Sequence, residues 1–443
     1  MSKIVVIGGG AAGTGAATQA KQFNEDHEVT LITEFEDIAY SPCGIPYVIG
    51  GEIDTFDKLF LNPPEFYEDE MGLNLKLETT VTNIDADKKV VVANGEEIPY
   101  DKLVISTGWN WKVPDLPGAD LDGIQFIKNI RHAMELEPHL DDYNSVAVSK
   151  ALPLGCELAT AFAHRGYDNV TLIDEESWIL SEFADPDIVE PAEEHMEEIG
   201  IDLKLGTELT GFKGEDGHLT GVETDRGDVP AELAFLATKY EPSVDLATDI
   251  GCKTGSTGCL VVDKKMQTNV DDVYAAGSCI EVVHGILDTP VQLVPGPFAY
   301  TQGKIAGVNA AGGNREYHKV YVPWGMPIGD VQVGGVLISE TIANATDTPY
   351  ITAEAEGITA ARYHPNHRKL RVKLLADPDS HRLIGAQMVG GDGVKERADF
   401  LAFAIRKKAT LEELATMENV YSPPIGALGE PIAIAAETGL NNL

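Results

Sequence analysis

A single cysteine in a short loop is the first candidate for chemistry. Cys43 stands within Ser41-Pro42-Cys43-Gly44-Ile45-Pro46-Tyr47, between a proline and a glycine rather than on an apolar stripe. A buried cysteine that acts as a small hydrophobic residue is instead expected within a periodic apolar run. Because the thiolate is the nucleophilic form of cysteine, this loop position predicts a redox-active thiol.

A glycine motif near the N-terminus is the second chemical feature. An apolar run ends at Ile7 and is followed by Gly8-Gly9-Gly10-Ala11-Ala12-Gly13, a G-x-G-x-x-G pattern that opens a helical pattern. The three motif glycines allow a tight turn, the approach of a pyrophosphate and close packing of the helix on the strand. Glu34 closes the next apolar run, at the spacing of an acid that binds a ribose hydroxyl. This arrangement predicts an adenine-dinucleotide site.

Two later apolar runs end in small residues. One ends at Thr107-Gly108 and the other at Gly277-Ser278. Small side chains let the backbone come close to a bound cofactor, so both turns are expected to border the same site.

A second βαβ pattern lies in the middle of the chain. It begins at Ser145, continues through a helix around 157–162 and ends in a strand that reaches Asp174. From about residue 320 the pattern changes to strands of period two, and a helix is predicted around 398–407. The chain is therefore predicted to be an α/β protein with two dinucleotide-type units and a distinct C-terminal unit.

Composition narrows the possible partners. The 443 residues carry 71 acids and 33 lysines and arginines, a formal net charge of −38, and 43% of them are hydrophobic. Such a charge disfavours nucleic acid and anionic membranes as partners. No apolar run reaches the about 18 residues of a membrane span, and the N-terminus leads directly into a core strand, so we expect a cytoplasmic protein. The five cysteines lack metal-site spacing, and Cys252 and Cys259 are interpreted as unrelated loop thiols rather than a redox pair.

Jointly, these motifs resemble the flavoprotein disulfide reductases with two dinucleotide-binding domains. Within them the chain is similar to the single-cysteine branch of coenzyme A disulfide reductase, NADH peroxidase, NADH oxidase and the persulfide reductases. The resemblance covers essentially the whole chain, and the motifs that carry it further are Ser106-Thr107-Gly108, Tyr274-Ala275-Ala276-Gly277 and Tyr421-Ser422-Pro423-Pro424. It implies two Rossmann-like domains, of the FAD and NAD type, plus a C-terminal α+β dimerisation domain in a homodimer. The implied boundaries are 1–110 with 265–320 (FAD-binding), 111–264 (NAD(P)-binding-like) and 321–443 (dimerisation).

The resemblance also assigns roles to individual residues. Cys43 is the expected redox nucleophile, and one cysteine suffices because the flavin supplies the second redox equivalent. Tyr421 of the partner subunit is expected to donate a hydrogen bond to the leaving thiolate, with an interface-packing tyrosine as the alternative. The residues expected to contact FAD are Gly8, Gly10, Ala11, Ala12, Gly13, Glu34, Pro42, Cys43, Val81, Thr107, Gly108, Gly277, Ser278 and Ala299.

Departures from the family pattern guide the choice of reaction. Ala11 replaces the histidine of the peroxidase and oxidase members, which disfavours reduction of peroxide or O₂ because no imidazole manages the protons. Coenzyme A enzymes usually place arginines on the first helix, whereas this chain has Gln19, Lys21 and Gln22, so coenzyme A binding stays open. We therefore expect an FAD-dependent thiol-disulfide or persulfide oxidoreductase acting on a low-molecular-weight thiol, disulfide or persulfide. The alternatives are an NADH oxidase or peroxidase, and a non-catalytic or redox-sensing flavoprotein.

The middle unit departs further from the pattern. Lys150 and Leu152 occupy the first two glycine positions of its motif, where side chains would fill the space of a pyrophosphate. Lys150 is interpreted as a solvated surface lysine or as a contact for a different anionic donor, and Asp174 as a ribose-binding acid or an ordinary strand-end acid. The turn expected near the nicotinamide ribose instead reads Lys239-Tyr240-Glu241-Pro242-Ser243. We therefore expect weak binding of NAD(P)H and leave an alternative electron donor open.

Overall fold

The strands of the computed structural model, which describes residues 1–237 and 239–443, form several sheets. In chain order they are β1 (Lys3–Ile7), β2 (Glu28–Ile32), β3 (Asn74–Lys76), β4 (Val81–Asp85), β5 (Val90–Ala93), β6 (Glu96–Pro99), β7 (Lys102–Ile105), β8 (Trp109–Trp111), β9 (Ile124–Gln125), β10 (Ser145–Ser149), β11 (Asn169–Asp174), β12 (Ile201–Leu205), β13 (Leu209–Glu215), β14 (His218–Thr224), β15 (Val229–Pro230), β16 (Leu233–Leu236), β17 (Tyr240–Pro242), β18 (Val273–Ala275), β19 (Glu281–Val283), β20 (Pro290–Gln292), β21 (Pro323–Ile328), β22 (Val331–Leu337), β23 (Ile351–Ile358), β24 (Lys369–Ala376) and β25 (Leu383–Gly390).

Helices connect and cover these sheets. They are α1 (Ala11–Phe23), α2 (Ile45–Ile49), α3 (Ile130–Leu136), α4 (Pro153–Arg165), α5 (Pro186–Glu198), α6 (Asp245–Thr248), α7 (Gly296–Ala310), α8 (Glu340–Ala345), α9 (Val394–Arg406), α10 (Leu411–Ala415) and α11 (Pro431–Asn441). Within the described ranges, none of the helices combines the length and the apolar character that crossing a bilayer requires.

The first parallel sheet has the order β18-β7-β1-β2-β3. Residues 4–7 of its central strand β1 are buried in a core that α1, α7 and the β4-β5-β6 sheet share. Helices α1 and α7 pack so closely that a Cβ added at Gly303 would lie 2.0 Å from the carbonyl oxygen of Ala12. The carboxyl ends of β1, β2, β7 and β18 therefore meet at one edge, where such sheets bind ligands.

The second parallel sheet has the order β12-β11-β10-β16-β9. Helix α4 follows β10, includes the predicted stretch 157–162 and begins at Pro153, because proline lacks the N–H that a first helical turn leaves unpaired. The helix ends at Gly166, whose φ of +93° supplies a left-handed C-cap. Strands β8 and β17 pair as a short antiparallel ribbon. In the chain, β8 follows β7 of the first sheet and β17 follows β16 of the second, so the ribbon lies where the chain passes between the two sheets.

An antiparallel sheet of order β21-β22-β25-β24-β23 forms the C-terminal unit. The predicted period-two strand at 370–374 lies in β24, and the helix predicted around 398–407 is α9. The predicted fold class, two Rossmann-like domains and a C-terminal α+β domain, is confirmed. The three domain boundaries given above stay predictions.

A buried lysine joins the middle and C-terminal units. Lys373 on β24 is 1% exposed, and its ammonium lies 2.6 Å from Asp187, 3.1 Å from Glu340 and 3.5 Å from Asp185. Asp185 and Asp187 stand at the start of α5, while Glu340 begins α8. A fourth carboxylate, Glu354 on β23, lies 3.8 Å away, so the ammonium compensates four carboxylates where α5 packs against the C-terminal sheet.

We expect Lys373→Met to destabilise the protein by about 3 kcal/mol, because it removes the buried counter-charge of Asp185 and Glu340, while Arg371 remains beside Asp187 and Glu354. Thermal unfolding followed by circular dichroism should show a clearly lower midpoint. Lys369→Met is the matched control on the same strand, since the Lys369 side chain is 78% exposed beside Glu356 and exposed pairs contribute little. Equal midpoints for the two variants would contradict this account.

Candidate active site

A groove at the carboxyl edge of the first sheet has the backbone of a dinucleotide site. Gly8 has a φ of +112°, and a Cβ there would lie 2.3 Å from the carbonyl oxygen of Ser106. A Cβ at Gly13 would lie 1.8 Å from the carbonyl oxygen of Gly8, so the loop turns directly under the helix. The N-terminus of α1 carries no side-chain cap and no acidic residue in its first turn. Its N–H groups are therefore available to an anionic group.

The space in front of this loop is open. A Cβ added at Gly10 or at Gly108 would meet no atom within 4 Å, and Gly108 has a φ of +70° that only glycine adopts readily. Ala11 and Glu34 are exposed on the same side of the sheet edge. These residues fit the pyrophosphate and ribose of FAD, with close backbone approach where side chains are missing.

The walls of the groove come from later parts of the chain. A Cβ at Gly277 would lie 2.9 Å from the Cβ of Ala12 and 3.7 Å from that of Ala299, so the structure brings these predicted residues together. The Ser278 hydroxyl lies 3.4 Å from the carbonyl oxygen of Val294, and Thr107 donates a hydrogen bond to the carbonyl of Ser243. Val81 begins β4 and packs against the hydrophobic core of the same sheet.

Lys128 is a residue of this region that the sequence did not reveal. Its ammonium donates a hydrogen bond to the side chain of Asn110. Burial lowers the pKa of Lys128, and the negative charge of Glu34 opposes that effect. Lys128 therefore places a cation near the expected ribose-binding acid, and no local motif marks it.

Cys43 lies in a single 3₁₀ turn, Pro42–Gly44, that runs into α2. The residue is exposed, which agrees with the prediction of an accessible thiol. Partial burial of the thiol and, second, the charge of Glu157 raise the pKa of Cys43.

A carboxyl group of the middle unit is hydrogen-bonded to the helix that follows this thiol. Tyr47, one helical turn after Cys43, donates a hydrogen bond of 3.3 Å to Oε1 of Glu157 on α4. Burial raises the pKa of Glu157 to about 7, although the hydrogen bond from Tyr47 favours its charged form. Burial and the neighbouring charge of Glu157 raise the pKa of Tyr47, so the phenol stays protonated. No local pattern marks Tyr47 and Glu157 as a pair, because 110 positions separate them.

Tyr421, a predicted site residue, is hydrogen-bonded to a second tyrosine that was not predicted. Its hydroxyl lies 2.8 Å from the hydroxyl of Tyr363, and both side chains are exposed. The two phenols form a polar pair on the surface of the C-terminal unit. No motif around Tyr363 indicated this pairing.

The middle unit repeats the backbone of the first glycine loop with a different residue in it. Lys150 has a φ of +72°, where the first loop has Gly8, and a Cβ at Gly155 would lie 1.8 Å from the carbonyl oxygen of Lys150. A non-glycine residue in this region costs about 1 kcal/mol. The predicted positive φ is thus found at Lys150, whereas Leu152 is the extended N-cap of α4 with a φ of −90°.

The side chain of Lys150 pairs with acidic residues at the end of the neighbouring strand β11 and so fills the space in front of this loop. Its ammonium lies 2.7 Å from Glu175 and 3.5 Å from Asp174, so the interpretation as a solvated surface lysine is wrong. Asp174 is 4% exposed and accepts hydrogen bonds from the backbone N–H of Ala151 at 2.6 Å and of Glu176 at 3.1 Å. The strand-end acid is therefore occupied by its own loop rather than open to a ribose.

Comparison with known proteins shows that two family models together match most of the chain. The family model for pyridine nucleotide-disulphide oxidoreductases matches residues 2–313, and the model for their dimerisation domain matches residues 327–430. An NADH oxidase of Methanocaldococcus jannaschii is 35% identical and aligns with 100% of this chain and 99% of its own length. An NAD(P)H coenzyme A polysulfide/persulfide reductase of Pyrococcus horikoshii is 32% identical, with 98% and 97% covered. The solved NAD-dependent persulfide reductase from A. fulgidus superposes with a TM-score of 0.95 at 27% identity, over 99% of this chain and 83% of that chain.

The closed loop predicts slow reduction by NADH or NADPH, and replacing Lys150 and Leu152 together by glycine should accelerate it. Restoring about 3 kcal/mol of phosphate contacts would tighten nucleotide binding more than about a hundredfold. Stopped-flow absorbance of the flavin at varied nucleotide concentration measures the effect. Lys408→Gly is the control, because Lys408 also has a positive φ, of +61°, but lies in the C-terminal unit. Rapid reduction of the unmodified protein by micromolar NADH would contradict the prediction.

Proposed function

Because the chain belongs to the pyridine nucleotide-disulphide oxidoreductase family, we propose that it is an FAD-dependent reductase of a low-molecular-weight disulfide or persulfide. Cys43 is the nucleophile in this proposal. The observation that carries it is the exposed Cys43 thiol in a Pro-Cys-Gly turn, which runs into the helix whose Tyr47 hydroxyl donates to the carboxyl group of Glu157. This arrangement suits exchange between sulfur atoms, which needs an accessible thiol and a nearby proton acceptor.

The groove residues and the thiol have separate tasks in this reaction. The uncapped N-terminus of α1 and the open backbone at Gly10 and Gly108 would hold the pyrophosphate of FAD, and Glu34 its ribose. When bound, FAD supplies the electron pair that returns the oxidised cysteine to a thiol. The Cys43 sulfur attacks one sulfur of the substrate, forms a mixed disulfide and expels the other sulfur as a thiolate. That thiolate then needs a proton.

A homodimer completes the proposal. The chain contains a dimerisation domain, and its C-terminal unit exposes large apolar side chains at Phe403, Ile425 and Leu428. We place Tyr421, with Tyr363, at the active site of the partner subunit, where a phenol could hydrogen-bond the expelled thiolate. A cytoplasmic location is also proposed, in keeping with five cysteines that all carry free thiols.

NADH oxidase is the second candidate, because a relative of that name is 35% identical to this chain. The methyl group of Ala11 at the start of α1 argues against it, since it cannot transfer a proton to reduced oxygen. A redox-sensing flavoprotein without turnover is the third, and the closed Lys150 loop favours it. Flavin reduction tested against NADH, NADPH, dithiols and a ferredoxin separates the three. Turnover with O₂ supports the oxidase, and reduction by no donor supports the sensor.

Cys43→Ser should abolish reduction of disulfides and persulfides while FAD content and dimerisation stay unchanged. A serine hydroxyl is neither anionic near neutral pH nor redox-active. Turnover with a panel of low-molecular-weight disulfides and persulfides gives the readout, and the flavin absorbance gives the cofactor content. Cys156→Ser is the matched control, because that thiol is fully buried. Full turnover of the Cys43 variant would contradict the proposal.

A further inference from the structure

The two loops that precede α1 and α4 differ in the space that they leave for a ligand. In the first loop, a Cβ added at Gly10 would meet no atom within 4 Å, and Glu34 is exposed. In the second loop, Lys150 takes the position of the first motif glycine and has a φ of +72°. Its side chain is 22% exposed, and Asp174, the acid at the end of β11, is 4% exposed. The loops share a backbone path, but only the first is open at its surface.

Contacts within the middle unit occupy the second loop. The ammonium of Lys150 lies 2.7 Å from Glu175. The N–H of Ala151 donates to the carboxylate of Asp174 at 2.6 Å, and its carbonyl oxygen accepts from the N–H of Leu180 at 2.7 Å. Both backbone polar groups of Ala151 are therefore paired within the protein. A pyrophosphate or a ribose would compete with these contacts, so the pyridine nucleotide that the family implies does not fit this loop.

The chain offers one thiol to a substrate. Of its five cysteines, all of which the structure describes, Cys43 is exposed and the other four are buried, namely Cys156, Cys252, Cys259 and Cys279. No accessible second cysteine of the same chain can therefore resolve a mixed disulfide at Cys43. Resolution needs a thiol or an electron pair that reaches this sulfur from outside the chain.

We propose that the electron donor is a dithiol that reacts at Cys43, so that donor and disulfide substrate use one site in turn. The inference rests on the proposed function. Cys43–SH attacks R–S–S–R, which gives Cys43–S–S–R and RSH. One thiol of HS–X–SH attacks that mixed disulfide, which gives Cys43–S–S–X–SH and a second RSH. The remaining thiol closes the cyclic disulfide of X and restores Cys43–SH. In sum, the dithiol loses two electrons, the substrate disulfide gains them, and both protons leave on RSH.

A dithiol suits this site better than two separate thiols. Once its first thiol has formed the mixed disulfide, its second thiol is held at an effective concentration of about millimolar or above, without a second encounter. Ring closure then frees Cys43 faster than attack by another molecule does. When bound, FAD supplies a store for the same electron pair if the dithiol arrives before the disulfide.

Flavin absorbance of the FAD-containing enzyme, followed by anaerobic stopped flow, tests the choice of donor. We expect dithiothreitol to bleach the flavin about tenfold or more faster than 2-mercaptoethanol at equal thiol concentration. Micromolar NADH or NADPH should leave the flavin oxidised and should not raise the midpoint of thermal unfolding, because a ligand that does not bind does not stabilise. Cys43→Ser gives the background rate, and Cys156→Ser is the matched control because that thiol is fully buried.

Two further measurements separate the donor from the proposed function. Lys150→Gly combined with Leu152→Gly should gain reduction by NADH and keep reduction by dithiothreitol, because the dithiol reacts at Cys43 and not at this loop. After addition of 2-hydroxyethyl disulfide, mass spectrometry should find one mercaptoethanol group on Cys43. Rapid bleaching of the unmodified enzyme by NADH, no bleaching by dithiothreitol, or equal rates with 2-mercaptoethanol would overturn the inference. An enzyme that forms no adduct at Cys43 would instead contradict the proposed function.

Discussion

The packing of α2 on α4 is the contact on which the site depends. Two observations show how close the helices are. A Cβ added at Gly50 would lie 3.1 Å from the Cα of Ala161. The guanidinium of Arg165 on α4 donates a hydrogen bond of 3.0 Å to the carbonyl oxygen of Ile49. This contact joins the segment that carries the thiol to a helix whose other end belongs to the second sheet. Without it, the hydroxyl of Tyr47, four residues after Cys43, would not reach the carboxyl group of Glu157.

The two glycine loops show how a fold can keep its geometry while one of its ligand sites changes. Both loops place a carbonyl oxygen 1.8 Å from the Cβ position of the glycine five residues later, at Gly13 and at Gly155. In the first loop, no side chain caps the N-terminus of the helix. In the second loop, the ammonium of Lys150 donates a hydrogen bond to the carboxylate of Asp174. The strand–turn–helix connection therefore tolerates a strained lysine, since the about 1 kcal/mol it costs is small beside the packing of the sheet.

The structural features that could be predicted from the sequence are those that depend on residues close together in the chain. The glycine loop, the turn around Cys43 and the helix starting at Pro153 follow from φ preferences and apolar periodicity within a few positions. Lys128 and Tyr363 could not be found in this way, because their partners come from other parts of the fold. The raised pKa of the Cys43 thiol could not be predicted for the same reason: a carboxyl group contributed by the middle unit is not visible in the sequence around Cys43.

The Lys373 network also limits how the protein can move. A hinge motion that opened the cleft between the first two sheets would carry α5 with the middle unit and draw Asp185 and Asp187 away from the buried ammonium. Charge separation in a dry interior opposes such a swing far more strongly than it opposes rearrangement of a surface loop. The network therefore ties the middle unit to the C-terminal sheet, and any rearrangement between the two has to break buried ion pairs.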